Sequence, residues 1–209
     1  DGFFMMVEGG RIDYFSHYND ASSMVYELID FNAAIQSALV FYAEHPQETL
    51  ILVTADHETG DVSLSGGDRA QLLRQTISSD SCDDTLVVQC LTNETPFEEA
   101  LPLFASAFGL SNLTDIETTA LRDAYYQTLS KNAPGNTSDE EYGVYEPITT
   151  ACIDLVAARA GFSFGSGGHT GKDVPIYALG IGSEFFAGNY ENTNIHDAIL
   201  QAAAAYPFS

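Results

Sequence analysis

The apolar residues of the chain follow two patterns, one typical of strands and one typical of helices. Residues 49–54 read Thr-Leu-Ile-Leu-Val-Thr, a nearly continuous apolar run typical of a central parallel strand. Ahead of this run, apolar residues recur at helical spacing from Ala21 to His45, and Pro46 predicts the end of that helix. A shorter apolar run, Phe3 to Val7, predicts a buried strand that ends at Glu8-Gly9-Gly10. Strand, helix and strand in this order predict an α/β fold.

The middle of the chain has a different pattern, with apolar residues at helical spacing and polar loops between them. It predicts four helices, near residues 69–78, 96–108, 114–130 and 140–160, with a breaker at 132–136. No residues in this stretch have the spacing of metal ligands. We therefore expect one domain over residues 1–209 that contains a helical insertion at 66–165. The core pattern resumes with a predicted strand at 174–179 and a predicted helix at 195–205.

The charge balance of the chain is strongly acidic. Thirty Asp and Glu oppose seven Lys and Arg, for a formal net charge of −23. Such a chain repels the phosphates of nucleic acids, so a polynucleotide-binding role is not expected. No stretch approaches 18 uninterrupted apolar residues, and the sequence therefore predicts no membrane span.

Cysteines, sequons and the first residues add little about function. Cys82, Cys90 and Cys152 lack a CxxC spacing, so a cysteine zinc site is not expected, and a Cys82–Cys90 disulfide stays open. Three short Asn-x-Ser/Thr sequons, weak signals of glycosylation, begin at Asn93, Asn112 and Asn136. The first eight residues have no signal-peptide pattern and enter an apolar run almost at once. This beginning is typical of the middle of a protein.

Residues able to carry chemistry form three clusters, each next to a predicted strand. The first holds Glu8, Asp13 and His17, the second is Asp56-His57, and the third is His169 in a glycine-rich loop. Open α/β sheets place their ligands at such strand ends. Taken singly, each cluster has an ordinary explanation, such as a helix cap or a hydrogen-bonded surface histidine. Together, imidazoles and carboxylates in this setting indicate a zinc site, whereas His45 and His196 lack the setting and are interpreted as structural.

The three clusters resemble the motifs of one enzyme family. Val7-Glu8-Gly9-Gly10-Arg11-Ile12-Asp13, followed by His17, is similar to the alkaline phosphatase signature. Thr54-Ala55-Asp56-His57 resembles the second motif of that family, and His169-Thr170-Gly171 resembles the third. The motifs occur in the order of the family. The resemblance implies a partial three-layer α/β/α sheet of the alkaline phosphatase type with a helical insertion.

The resemblance also implies a set of metal ligands. Asp13, His17 and His169 would hold one Zn²⁺, and Asp56 and His57 would belong to a second Zn²⁺ site. Glu8 would bind a neighbouring Mg²⁺, a hard cation that prefers oxygen ligands.

Several functional residues of the family have no counterpart in this chain. In the family an upstream aspartate completes the metal sites, an upstream serine is the nucleophile, and an upstream arginine binds the phosphate. Asp80-Ser81-Cys82 has a superficial likeness to the nucleophile's surroundings but follows the first two metal motifs, and Arg11 does not match the phosphate-binding arginine. We therefore expect a carboxyl-terminal half that lacks its amino-terminal half and is inactive alone.

For the whole enzyme, the resemblance implies hydrolysis of phosphate monoesters to inorganic phosphate through a phosphoserine intermediate. In that scheme one zinc ion activates the serine and the other stabilises the leaving group. The alternatives are another hydrolase of the superfamily, such as a sulfatase, a phosphodiesterase or a phosphoglycerate mutase, or a catalytically silent metal-binding fragment. The resemblance further suggests a periplasmic or secreted location and a homodimer. The preferred ester stays open.

Overall fold

The computed structural model describes residues 2–133 and 145–206, which divide into two compact units. The sheet unit consists of Asp1–Gly9, Leu28–Glu58 and His169–Ser209, and the helical unit consists of Gly10–Glu27 and Thr59–Gly168. The sequon at Asn136, part of the predicted breaker and the start of the helix predicted from Glu140 lie outside the described residues.

The described helices and strands follow one another in an α-and-β order. The longer elements are α1 (Gly10–His17), α2 (Ala21–Glu44), β1 (Leu50–Val53), α5 (Phe97–Ala107), α6 (Asp115–Lys131), α7 (Pro147–Ala160), β6 (Tyr177–Gly180) and α8 (Asn194–Ala205). The shorter ones are β2 (Glu58–Thr59), β3 (Ser63–Leu64), α3 (Ser79–Ser81), α4 (Val88–Thr92), β4 (Phe162–Ser163) and β5 (His169–Thr170). Two 3₁₀ helices cover Arg69–Arg74 and Ser183–Phe186, and a π-helical stretch, Cys82–Val87, joins α3 to α4.

The sheet unit is built around the pairing of β1 with β6. The two strands run antiparallel, with Leu50 opposite Gly180 and Val53 opposite Tyr177. Helix α8 contributes Ala198 and Ala202 to a small buried core with Phe186. Half-buried apolar side chains pack against that core: Leu50, Leu52, Ile176, Ala178, Phe185, Ile195 and Ile199.

Two predictions for the strands of this unit are wrong. The strand at 50–53 forms, but its described partner is antiparallel rather than parallel. An uninterrupted apolar run reports burial on both faces and carries no information on the direction of the neighbour. The predicted strand Phe3–Val7 does not form, and its side chains are 56–81% exposed. A strand needs a hydrogen-bonded neighbour, and no β partner pairs with this segment in the described chain.

Helix α2 confirms the helix predicted from Ala21, and it is unusually apolar on its exposed surface. Its residues from Leu28 onward belong to the sheet unit, where Leu28, Ile29, Val40 and Phe41 are 40–66% exposed. By length and composition α2 could cross a membrane. One such helix is weak evidence, because the core helix of a soluble protein has the same length and composition. The sequence prediction of no membrane span, which rested on uninterrupted apolar runs, stays a prediction.

In the helical unit, local signals explain where the helices begin and end. Thr114 and Glu117 form a reciprocal capping box at the start of α6. Pro147 begins α7, and Gly161 ends it in a left-handed conformation with φ of 73°. Three predicted helices are thereby confirmed as α5, α6 and α7, whereas the helix predicted at 69–78 is a shorter 3₁₀ turn.

The helical unit contains a large continuous core. Its buried aromatic and aliphatic side chains come from the 3₁₀ turn, the π-helical stretch and helices α4 to α7, and include Leu72, Val87, Phe97, Phe104, Phe108, Leu121, Tyr125, Ile148 and Val156. A buried carboxylate, Asp20, also lies inside this unit. It accepts hydrogen bonds from the amide and hydroxyl of Ser23 and from the amide and hydroxyl of Ser79, at 2.7–3.1 Å. Asp20 thereby caps the start of α2 and fixes the beginning of α3.

The three cysteines are all buried thiols, and the Cys82–Cys90 disulfide is not formed. Burial raises the pKa of Cys82 to about 12 and the pKa of Cys152 well above its usual value. These side chains therefore belong to the core of the helical unit as uncharged thiols.

Candidate metal centre

Helix α1 presents a carboxylate and an imidazole on one face. Asp13 and His17 are four residues apart, so their side chains lie above one another on the helix surface. The Oδ2 atom of Asp13 is 3.4 Å from Nε2 of His17, and the two side chains are 45% and 34% exposed. Phe15 and Ser16, on another face of α1, are buried in the helical unit and fix the rotation of the helix. The sequence prediction that these two side chains point to a common position is consistent with this geometry.

The imidazole of His17 is oriented by a backbone carbonyl. Its Nδ1 atom lies 2.7 Å from the carbonyl oxygen of Gly167. Because a carbonyl only accepts, Nδ1 carries the proton. In the neutral ring Nε2 then presents its lone pair on the side of Asp13. An imidazole held in this tautomer by an outer hydrogen bond, with a carboxylate beside its other ring nitrogen, is typical of protein ligands to zinc. The residues present therefore fit such an ion.

The sheet unit brings two further histidines together. His57 follows β1 by four residues, and His169 begins β5. Their rings are stacked, with centroids 3.5 Å apart and planes inclined by 26°. A hydrogen bond from the hydroxyl of Thr170 to the carboxylate of Glu58 joins the residues that follow each histidine. The structure thus brings together two residues that lie 112 positions apart in the sequence.

Asp56 lies beside His57 at the same strand end. Its Oδ1 accepts from the amide of His57 at 3.1 Å, and its Oδ2 is 3.3 Å from Nε2 of that ring. The side chain of Asp56 is 83% exposed and that of His57 is 30% exposed. The carboxylate is consequently open to solvent and to any cation that approaches this edge.

Glu8 lies away from regular structure. It is exposed, in the segment that precedes α1 and contains no helix or strand. Its assignment to a magnesium site stays a prediction.

Two features near the ligands were not found from the sequence. Thr59 donates a hydrogen bond from its hydroxyl to Oδ1 of Asp13 at 2.5 Å, and Gly167 orients His17 through its carbonyl. Thr59 lies two residues beyond the end of the second motif, and its contact with Asp13 depends on the folded arrangement. A main-chain carbonyl leaves no signal of its own in a sequence.

Ser81 and Arg11, which the sequence analysis set aside as nucleophile and phosphate-binding residue, lie among residues with structural contacts. Asp80 accepts hydrogen bonds from the phenols of Tyr14 and Tyr145, and burial together with this carboxylate raises the pKa of Tyr14 to about 12. Ser81 follows directly in the short helix α3. Arg11 lies 5.8 Å from the ring of Phe15 on its own helix.

Comparison with known proteins places the chain in a family. Residues 1–205 match the alkaline phosphatase family, so the chain belongs to that family. Among named relatives, it is 53% identical over 213 residues to alkaline phosphatase 4 of Drosophila melanogaster, covering 99% of this chain and 30% of the relative. It is 30% identical over 202 residues to alkaline phosphatase 3 of Bacillus subtilis, covering 97% of this chain and 40% of the relative.

A solved structure extends the likeness to the fold. The crystal structure of a cold-active alkaline phosphatase from a psychrophilic Shewanella species matches with a TM-score of 0.72 at 24% identity. That match covers 97% of this chain and 45% of the solved one. The predicted fold class, a partial α/β fold of the alkaline phosphatase type, is therefore confirmed. The chain spans about 40% of the length of the Bacillus relative.

Proposed function

We propose that this chain supplies the metal-ligand part of a phosphatase that hydrolyses phosphate monoesters to inorganic phosphate. Its family and its fold support hydrolysis of phosphate esters. The observation that carries the proposal is the pairing of Asp13 with His17, whose Nδ1 proton is held by the Gly167 carbonyl. A carboxylate and an imidazole prepared in this way suit a divalent cation better than they suit a surface ion pair.

The proposed ligands are those that the sequence resemblance implies. Asp13, His17 and His169 hold one Zn²⁺, Asp56 and His57 contribute to a second Zn²⁺, and Glu8 contributes to a Mg²⁺ site. Bound zinc would lower the pKa of a nucleophilic oxygen and offset charge on the phosphoryl group. Backbone groups of the protein orient the ligands. The Gly167 carbonyl selects the tautomer of His17, and the amide of His57 holds the carboxylate of Asp56.

We further propose that an amino-terminal part of the same polypeptide supplies the remaining groups. The chain spans only 30–45% of the relatives named above, and the serine nucleophile, the phosphate-binding arginine and one aspartate have no counterpart here. The nucleophile would form the phosphoserine intermediate that the resemblance implies.

The surface of the sheet unit supports this second proposal. Five consecutive apolar side chains, Phe3 to Val7, are 56–81% exposed, and Tyr177 and Leu179 on β6 are 66% and 40% exposed. Apolar surface concentrated in this way usually marks an interface. Additional chain that packs on the sheet unit would bury it.

Removal of single ligands from the full-length polypeptide tests the metal assignment. Asp13→Ala, His17→Ala and His169→Ala each remove one ligand, so zinc content measured by mass spectrometry should fall together with hydrolysis of p-nitrophenyl phosphate. A loss of roughly 100-fold in activity is expected, because even the outer partners of metal ligands account for about 10- to 100-fold. His196→Ala is the matched control, because His196 is 75% exposed and its described ionic partner is the neighbouring Asp197. Normal zinc content in His169→Ala would show that the third motif is misassigned.

Substrate choice separates the proposal from its rivals. The full-length protein should hydrolyse a phosphate monoester faster than a phosphate diester or a sulfate ester. Preference for the diester or the sulfate would favour another hydrolase of the superfamily. The 209-residue chain alone should bind zinc yet show little turnover, because it lacks the nucleophile. Turnover by the purified chain, with its mass verified, would contradict that expectation.

Three broader predictions accompany this function. A periplasmic or secreted location, a homodimer and the absence of nucleic-acid binding are each suggested by the family or by the acidic charge. Fractionation of cells and analytical ultracentrifugation of the full-length protein would test the first two.

A further inference from the structure

We propose that Thr59 is a positioning residue that holds the carboxylate of Asp13 in the orientation required for metal binding. This inference rests on the proposed function, because it concerns a ligand of the proposed zinc site. Thr59 donates its hydroxyl hydrogen to Oδ1 of Asp13 at 2.5 Å, across 46 residues of sequence. Both residues belong to the helical unit and are partly buried.

The contact divides the two oxygens of Asp13 between two roles. Oδ1 accepts from Thr59, while Oδ2 lies 3.4 Å from Nε2 of His17. A carboxylate held by one oxygen cannot rotate about its terminal torsion without breaking that hydrogen bond. Oδ2 is thereby kept on the side of the His17 lone pair, where a shared cation would lie.

The backbone beside Thr59 is rigidly placed. Gly60 is buried with φ of 89°, and a Cβ atom there would lie 3.0 Å from the ring of Phe164 and 3.1 Å from the carbonyl of Ser16. The amide of Gly60 donates to the carbonyl of Gly168 at 2.9 Å, and its carbonyl accepts from the amide of Gly165 at 3.1 Å. The hydroxyl of Thr59 therefore starts from a fixed point, and its β-branched side chain has few rotamers.

The same pair of segments orients both ligands of α1. Residues 59–60 hold Asp13 through the Thr59 hydroxyl, and residues 165–168 hold His17 through the Gly167 carbonyl. The hydrogen bonds of Gly60 join these two segments. Of the two outer contacts, that of Thr59 alone is made by a side chain and can be removed by substitution without altering the backbone.

The test compares zinc affinity in variants of the full-length protein by competition with a chelator. Thr59→Val removes the hydroxyl while it keeps the shape, and it should weaken zinc binding by about 10- to 100-fold. Thr59→Ser retains the hydroxyl and should stay within about threefold of wild type. Thr119→Val is the matched control, because the exposed hydroxyl of Thr119 bonds to the carbonyl of Asp115 within α6.

The outcomes distinguish this inference from the proposed function. If wild type binds zinc and Thr59→Val binds it equally well, the positioning role is wrong and the proposed function stands. If wild type binds no zinc, the proposed function and this inference both fail. If circular dichroism shows that Thr59→Val is unfolded, the comparison is made between Thr59→Ala and Thr59→Ser, and equal affinity in that pair overturns the inference.

Discussion

The two units of this chain bury their apolar side chains to very different degrees. The described helical unit buries a continuous cluster of eighteen apolar side chains, several of them aromatic and less than 2% exposed. The described sheet unit buries three, with seven half-buried neighbours, and leaves Phe3 to Val7 in solvent. Because buried apolar area is the main favourable term in folding, the helical unit contains most of its own stabilisation and the sheet unit does not.

This difference has a consequence for the stability of the sheet unit. A strand pair with an incomplete core is marginal in isolation. The sheet unit is therefore expected to gain stability when additional chain packs on it. The helical unit is expected to tolerate substitutions at its surface and to lose stability when a core side chain is shortened.

The largest expected effect comes from shortening a core side chain of the helical unit. Phe104 is 1% exposed, and Phe104→Ala should lower the free energy of unfolding of the chain by about 3–5 kcal/mol. Phe4 is 76% exposed, so Phe4→Ala in the 209-residue chain should change it by less than about 0.5 kcal/mol. Urea denaturation followed by circular dichroism measures both. If Phe4→Ala becomes costly only in the full-length protein, additional chain covers the Phe3–Val7 segment; equal costs in the two proteins would contradict that cover.

A second prediction concerns the backbone of the sheet unit. Gly180, opposite Leu50 in the β1–β6 pair, has φ of 105°, and a Cβ atom there would meet the carbonyl oxygen of Thr49. Gly180→Ala should cost about 2–3 kcal/mol, because strain and collision act together. Gly171→Ala is the control in the same unit, since nothing lies within 4 Å of a Cβ at that position. Equal melting temperatures for the two variants would contradict the described pairing.

The smallest expected effect comes from removing an ion pair of the helical unit. The guanidinium of Arg159 donates two hydrogen bonds to the carboxylate of Glu117 at 2.8 and 2.9 Å, and it lowers the pKa of that carboxylate from 4.5 to about 2. A carboxylate with a lowered pKa stabilises the fold above its unfolded pKa and loses that contribution as the pH falls.

Glu117→Gln should accordingly cost about 1–2 kcal/mol at pH 7. The difference from wild type should shrink between pH 4.5 and pH 2, the interval between the two pKa values. Asp123→Asn, an exposed position on the same helix, is the control and should show little change at either pH. A difference between Glu117→Gln and wild type that is independent of pH would contradict the role of charge.

Much of the fold could be predicted from the sequence because its signals are local. The helices predicted near residues 96–108 and 114–130, and the end of the one predicted at 140–160, form as expected, and local signals such as the Thr114–Glu117 capping box and Gly161 explain their ends. The direction of the partner of β1 could not be predicted, because an apolar run is the same for either direction. The failure of Phe3–Val7 to form a strand has a related cause, since pairing depends on distant residues.

In the candidate metal centre, too, local features could be predicted from the sequence and long-range contacts could not. The metal motifs pointed to Asp13 and His17, and their helical spacing gave the reason for their proximity. His57 and His169 came from motifs as well, yet their stacked contact depends on a long-range arrangement that no short segment contains. Thr59 was missed because its role appears only when Asp13 is beside it in space.

The carbonyl of Gly167 has a consequence for how this protein tolerates mutation. The acceptor belongs to the peptide group, so every amino acid at position 167 still carries it, and a substitution there does not remove the acceptor of the hydrogen bond from His17. What can move that oxygen is the path of the loop, through insertion, deletion or a misplaced neighbour. Changes in loop length around residues 165–168 should therefore disturb the orientation of the His17 imidazole more than changes in side-chain identity do.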